Sequence, residues 1–222
     1  LDDSFVRPDL LGEGTDWQDE LFNTALIQSH NLSITGGANK INYALGLGYL
    51  NQEGIALGSG FERFTLRGNI EDMVKKWLKI GVNFSFSNSN QNVTVSDNDW
   101  INTALLQTPN VAARNVDGTF GGPDTDEFVQ SNPVGLALLK ENNNKNGQFR
   151  NNIYAEATIL KGMTLKTEYS NDFGITDNYQ FTPSYEFGAI KNSVIESERS
   201  KSDSRFWSWR NILTYNNTFA QK

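Results

Sequence analysis

Cysteine is absent from this 222-residue sequence, and histidine occurs once. Without thiols there is no disulfide framework, no zinc–thiolate site and no cysteine nucleophile. His30 alone completes neither a zinc site nor a Cys–His pair. Basic clusters are missing too. Lys and Arg number 19 against 26 Asp and Glu, for a net charge of -7, so nucleic acid is not an expected partner. No apolar run approaches the ~18 residues of a membrane helix; the longest surrounds Leu136, Ala137, Leu138 and Leu139. No serine sits in a G-x-S-x-G elbow, and the glycines of 46–60 lack the G-x-G-x-x-G spacing ahead of a helix. An enzyme is therefore not expected. The opening "LDDSFVRPDL" has no apolar leader segment. With the abrupt close on "NNTFAQK", it suggests a piece of something longer.

What is present is alternation. In "INYALGLGYL" (41–50), Tyr43, Leu45, Leu47 and Tyr49 alternate with small or polar residues. In "LKIGVNFSFSNS" (78–89), Leu78, Ile80, Val82, Phe84 and Phe86 take one side and Lys79, Gly81, Asn83, Ser85 and Ser87 the other. A period of two marks β-strands with unlike faces. The same pattern runs through 30–36, 61–71, 147–160, 163–172 and 204–217. That makes about seven strands, several longer than the usual ~5–6 residues. Hydrophobic residues are 37% of the chain and aromatics 12%, which suits sheets apolar on one face only.

Connections alternate between short ("GGANK", "EDMVKK", "LKGM") and long (51–60, 90–147, 173–203). Gly36 and Gly37 are expected to supply the positive φ of the first turn. The longest excursion should hold short helices at 97–108, capped by Asp97 and stopped before Pro109, and at 132–141. Long two-faced strands with short turns at one end and long loops at the other are the signature of part of a large antiparallel transmembrane β-barrel. Lipid would then cover the apolar face. Arg63, Arg67, Lys79, Glu156, Lys166 and Glu168 would line a wet lumen. Aromatics near strand ends (Tyr43, Tyr49, Phe61, Phe64, Trp77, Trp207, Trp209) would form interfacial girdles. The rival is a soluble β-sheet serving as a non-transporting cell-surface glycan-binding or adhesion protein, since antiparallel sheets also carry one wet face. Folding without detergent would mark it.

Specific residues add to the pattern. "TDWQDELFNTA", "HNLSITGGANKINYALGLGYLNQEGI", "GSGFERFTLRGNIE" and "WLKIGVNFSFS" resemble the SusC/RagA family of TonB-dependent outer-membrane transporters of Bacteroidetes. Later segments, among them "DGTFGGPDTDEF", "NPVGLALLKE" and "WRNILTYNNTF", are similar in the same order. The resemblance implies an outer-membrane barrel importing oligosaccharides or peptides. It also implies energy from TonB through a plug domain, and a SusD-like lipoprotein as lid. Residues 1–222 match only a partial barrel domain, with the plug absent.

Two candidate sites stand out in the long loops. Trp17, Trp100, Phe120 and Phe128 are aromatics that could stack on sugar rings or anchor the lid. Asp117, Asp124, Asp126 and Glu127 place carboxylates near glycines in "DGTFGGPDTDE", and could hold calcium. The spacing is not that of an EF-hand, and a solvated acidic loop has the same composition. No other cofactor is expected. Loop 90–147 is the segment expected to matter most for substrate or lid.

Overall fold

The computed structural model describes residues 13–94, 99–125 and 130–218. Seven long strands make one antiparallel sheet: β1 (Ile27–Ala38), β2 (Ile41–Glu53), β3 (Gly60–Lys75), β4 (Leu78–Asn92), β5 (Glu141–Leu160), β6 (Met163–Thr182) and, after a small hairpin, β9 (Glu196–Tyr215). They pair in chain order, β1-β2-β3-β4-β5-β6-β9. The hairpin β7 (Tyr185–Phe187) and β8 (Ile190–Asn192) stands apart from this sheet.

The strands outrun the apolar alternation. β5 starts at Glu141 rather than 147, β6 runs on to Thr182, and β9 starts at Glu196 rather than 204. The extensions of β5 and β9 are polar on both faces, so hydropathy gives no sign of them, whereas in β6 the alternation continues through Phe173, Ile175, Tyr179 and Phe181, broken by Asp177. Pairing is maintained by backbone hydrogen bonds and by cross-strand side-chain links. Arg199 donates to Asp177 at 2.9 and 2.7 Å, and Asn143 donates to Asn90 and Asn92 at 2.7 and 2.6 Å. The long loops shrink accordingly.

The short turns also differ in one detail. Gly36 and Gly37 lie inside β1, and the positive φ of 57° falls on Asn39. Asparagine tolerates this left-handed conformation better than most residues. Gly36 serves another purpose. A Cβ there would sit 2.5 Å from the Tyr43 hydroxyl, so its bareness lets the Tyr43 ring lie across the neighbouring strand. Phe84 lies over Gly68 and Tyr154 over Gly81 in the same manner. The turn between β5 and β6 is as the sequence suggests, with Gly162 at φ 80°.

Register sorts the two faces cleanly. Leu32, Leu47, Leu66, Phe86, Phe149 and Phe173 form one cross-sheet row on the apolar face. On each strand this face is apolar over a run such as Ile41–Tyr49, Leu78–Phe86 or Phe149–Ala157. Such runs approach the ~9–11 residues a tilted strand needs to cross a bilayer. Tyr43, Tyr49, Phe64, Trp207 and Trp209 belong to this face. Phe61 does not: it pairs with Gln91 and Gln52 on the polar face. Among the described residues no second layer covers the apolar face, and Leu32, Ile34, Trp207, Trp209 and Leu213 are all exposed.

The packed core lies elsewhere, beyond the long-loop ends of the strands. Helices α1 (Trp17–Leu21), α2 (Asp99–Leu106) and α3 (Pro133–Leu139) join the loops into a small cap. Trp17, Leu21, Trp100, Val111, Ala113, Val134 and Ala137 form its core. Asp16 caps α1 by accepting from the Gln18 and Asp19 amides. Asn132, fully buried, caps α3 and donates to the Ala113 and Gly121 carbonyls at 2.9 and 2.8 Å. The hairpin joins the cap through Phe187, whose ring lies edge-on to Phe120. That ring fits only because Gly135 has no side chain: a Cβ would fall 2.5 Å from it.

Candidate functional site

The polar face is the surface on which chemistry can be organised, and it has two unlike zones. Near the short turns the residues are charged and mutually satisfied. Glu71, Gly81, Tyr154, Glu168 and Arg210 occupy one row. The Tyr154 hydroxyl donates to Glu71, and its ring lies 4.6 Å from the Lys166 ammonium. Lys166 pairs with Glu168 at 3.0 Å, Arg210 also reaches Glu168, and Lys79 pairs with Glu156 at 3.7 Å. All six charged residues expected to line a lumen fall on this face by register. Glu71 and Arg210, which complete the network, were not singled out by the sequence. Their only signal is their phase in the alternation.

A neutral ladder follows, where Asn69 donates to Asn83 at 2.5 Å, Asn83 to Asn152 at 3.5 Å and Asn152 to Ser170 at 2.8 Å. One more ion pair, Arg150 with Asp172 at 2.8 Å, stands beside Phe206. Above it, across β4, β5, β6 and β9, rows of Ser, Asn, Gln and Thr follow, and Glu198 and Glu196 stand at the top of β9.

The predicted loop residues go to different places. Trp17 and Trp100 are packed inside the cap, 4% and 7% exposed, so their rings are not presented for stacking. The Trp17 indole N–H donates to the Thr108 carbonyl at 3.1 Å, which closes the loop onto α1. Phe120 is half-buried between Phe187 and the Arg114 guanidinium, 4.4 Å from its ring. Phe128 lies outside the described residues. The cap thus uses its large aromatics as core, because three short helices have little other apolar area to bury.

Of the four carboxylates, only Asp117 and Asp124 lie among the described residues. Asp117 accepts from the Thr119 amide and hydroxyl at 3.0 and 2.6 Å. Those hydrogen bonds hold its carboxyl below the usual range and tie it to its own turn. Asp126 and Glu127 lie outside the described residues, and no group of three potential metal ligands occurs among the described ones.

No family model matches the chain. Individual proteins do. The chain is 28% identical, over 93% of its length, to the TonB-dependent receptor P3 of Formosa agariphila. Receptor P26 of the same organism is 27% identical over the same share. An 81-residue stretch, 36% of the chain, is 40% identical to the TonB-dependent receptor SusC of Bacteroides thetaiotaomicron. The solved RagAB peptide transporter superposes with a TM-score of 0.74 at 24% identity, covering 93% of this chain and 24% of that one. Its "closed-closed" state gives 0.72 at 23% identity. Sequence and fold both match SusC/RagA-type TonB-dependent receptors. The seven-stranded sheet is accordingly a stretch of barrel wall, which is not closed by these strands alone. The chain spans 21% of the length of receptors P3 and P26. Its relatives are receptors, not enzymes.

Proposed function

We propose that this chain is part of the wall and mouth of an outer-membrane importer. Its apolar face meets lipid, its polar face lines the lumen, and its cap stands outside the cell. TonB supplies energy through a plug domain carried elsewhere in the complete receptor. A SusD-like lipoprotein seats over the mouth as a lid, with loop 93–140 as a main contact. The cargo is an oligosaccharide, with a peptide as the second choice.

One observation carries this reading: a band of exposed leucine, phenylalanine and tryptophan side chains runs across seven paired strands, and the opposite face is polar and linked by ion pairs, two of them to the buried Glu168. Water does not tolerate so large an apolar patch on a monomer, whereas lipid does. Likeness to TonB-dependent receptors over nearly the whole chain supports the same assignment.

The complete receptor provides the test. It should fractionate with the outer membrane, migrate faster on gels before boiling than after, and lose uptake when TonB is removed. A lipoprotein should copurify. Recovery of the receptor in the soluble fraction, folded without detergent, would overturn the reading in favour of a surface adhesin. Deleting 110–130 should impair uptake or lid binding; unchanged values for both would remove the role given to that loop.

A further inference from the structure

The upper parts of β4, β5, β6 and β9 hold an uncharged stretch of polar face, bounded by Arg63 of β3 at one side and by Glu198 and Glu196 above. Above the Arg150–Asp172 pair, the polar face presents Ser87, Gln148, Gly174 and Ser204 in one row, then Ser89, Asn146, Thr176 and Ser202, then Gln91, Asn144, Asn178 and Ser200. None of these twelve residues is ionisable; Arg63 of β3, opposite Ser89, borders the second row. On the opposite face at the same height stand Lys145, Asp177, Arg199, Lys201 and Asp203. Solubility alone would be served by charges on either face. Their absence from this stretch of the polar face calls for a reason specific to it.

We infer that this neutral wall is a binding surface for an uncharged, hydroxyl-rich glycan, and that it disfavours acidic ones. The inference rests on the reading that this face lines the lumen. Amides and hydroxyls each offer donors and acceptors, matching sugar hydroxyls that are also both. Asn178 has a buried side-chain oxygen with no partner, an acceptor that a ligand hydroxyl could satisfy. Phe206, one row below, is 66% exposed on the same face and offers a ring for a sugar to stack on. A carboxylated or sulfated sugar would find no cation on β4, β5, β6 or β9 in these rows to offset its desolvation, only Arg63 at their β3 edge, and it would meet Glu198 in the row above. A peptide would bring terminal charges and apolar side chains that this surface does not match.

The test uses the complete receptor, purified from the outer membrane in detergent. Malto-, laminari-, xylo- and manno-oligosaccharides are titrated against it, beside oligogalacturonate and a tryptic peptide mixture. At least one neutral series should bind. The Asn144→Leu/Asn178→Leu variant should weaken that binding about tenfold or more. Lys201→Gln, on the opposite face, should leave it unchanged. Asn144→Lys/Asn178→Lys should shift preference toward oligogalacturonate. Binding of the acidic series or the peptides alone, binding of nothing, or neutral binding indifferent to the two asparagines would each overturn the inference. A receptor that is present and folded in the outer membrane but gives one of those results leaves the transport reading standing. A receptor missing from the outer membrane overturns that reading instead.

Discussion

The five tryptophans divide the molecule in two. Trp17 and Trp100, in the cap, are 4% and 7% exposed, while Trp207 and Trp209, on the sheet, are 65% and 67% exposed. Trp77, at a short turn, is exposed as well. In the cap the large rings do what they do in any water-soluble domain: they are buried against helices and loops to form a core. In the wall they point outward, because the strands turn their charges inward. One chain therefore obeys two solvents. Its hydrophobic residues face protein in the cap and face outward on the sheet, as the proposed contact with lipid requires.

The sharpest way to break that comparison is to remove a ring from the cap. Trp17→Ala takes out a core residue and the hydrogen bond to Thr108, and should cost the cap about 3–5 kcal/mol. The wall should stay intact. Limited proteolysis of the complete receptor should then show faster cleavage within 93–140, with unchanged heat-modifiable mobility. Loss of the folded barrel band would mean that cap and wall are one cooperative unit.

A charge in the lipid band tests the other half. Val82 sits in the middle of the apolar run Leu78–Phe86. Val82→Arg should destabilise the barrel by about 2–4 kcal/mol, the penalty for arginine near a bilayer midplane. Ser87→Arg, on the polar face, should change stability by less than about 0.5 kcal/mol. Urea unfolding in lipid vesicles measures both. Equal costs would show that the two faces do not meet different solvents.

These regions were also unequally legible in the sequence. The wall could be read from alternation, because a strand between lipid and lumen must change polarity at every residue. Tyr43 to Tyr49 and Leu78 to Phe86 announce their faces directly. Glu141–Gln148 and Glu196–Ser204 do not, since a strand wet on both sides alternates nothing. The cap was the least legible part. Trp17 and Trp100 are 83 positions apart, and only the folded loops show that they share one core. As isolated aromatics in polar loops they suggested exposed ligand contacts. Gly36 and Gly37 suggested a turn for a similar reason: sequence shows a bare residue, but not the Tyr43 ring that needs it bare.

Glycine under an aromatic ring gives a smaller effect, and Gly81 shows it in the wall. A Cβ on Gly81 would fall 2.3 Å from the Tyr154 ring, which is buried on the polar face and tied to Glu71. Gly81→Ala should cost about 1–3 kcal/mol through overpacking. Adding Tyr154→Ala should make the alanine at 81 harmless, so the two changes should be strongly non-additive in a double-mutant cycle. Additive costs would mean that the ring can move aside freely.

The smallest expected effect belongs to the upper strands, which are wet on both faces and have neither lipid nor core to hold them. There Asp177 accepts two hydrogen bonds from the Arg199 guanidinium, which hold its carboxyl below the usual range. A carboxylate depressed in the folded state stabilises it fully above the unfolded value, about 3.9, and loses that contribution as pH falls through the folded value. The top of the β6–β9 pair should therefore loosen below about pH 4, while the lower strands, anchored by the apolar band, hold. Asp177→Asn should make this region as loose at pH 7 as the parent is in acid, and remove its response to acid. Amide exchange across Asp177–Thr182 and Glu196–Lys201, followed from pH 7 downward with intrinsic rates corrected, reads the effect. An acid response that survives Asp177→Asn and also the further changes Glu196→Gln and Glu198→Gln would place the titrating group in the cap. The upper strands would then be held from above, by the packed loops, rather than by their own cross-strand pair.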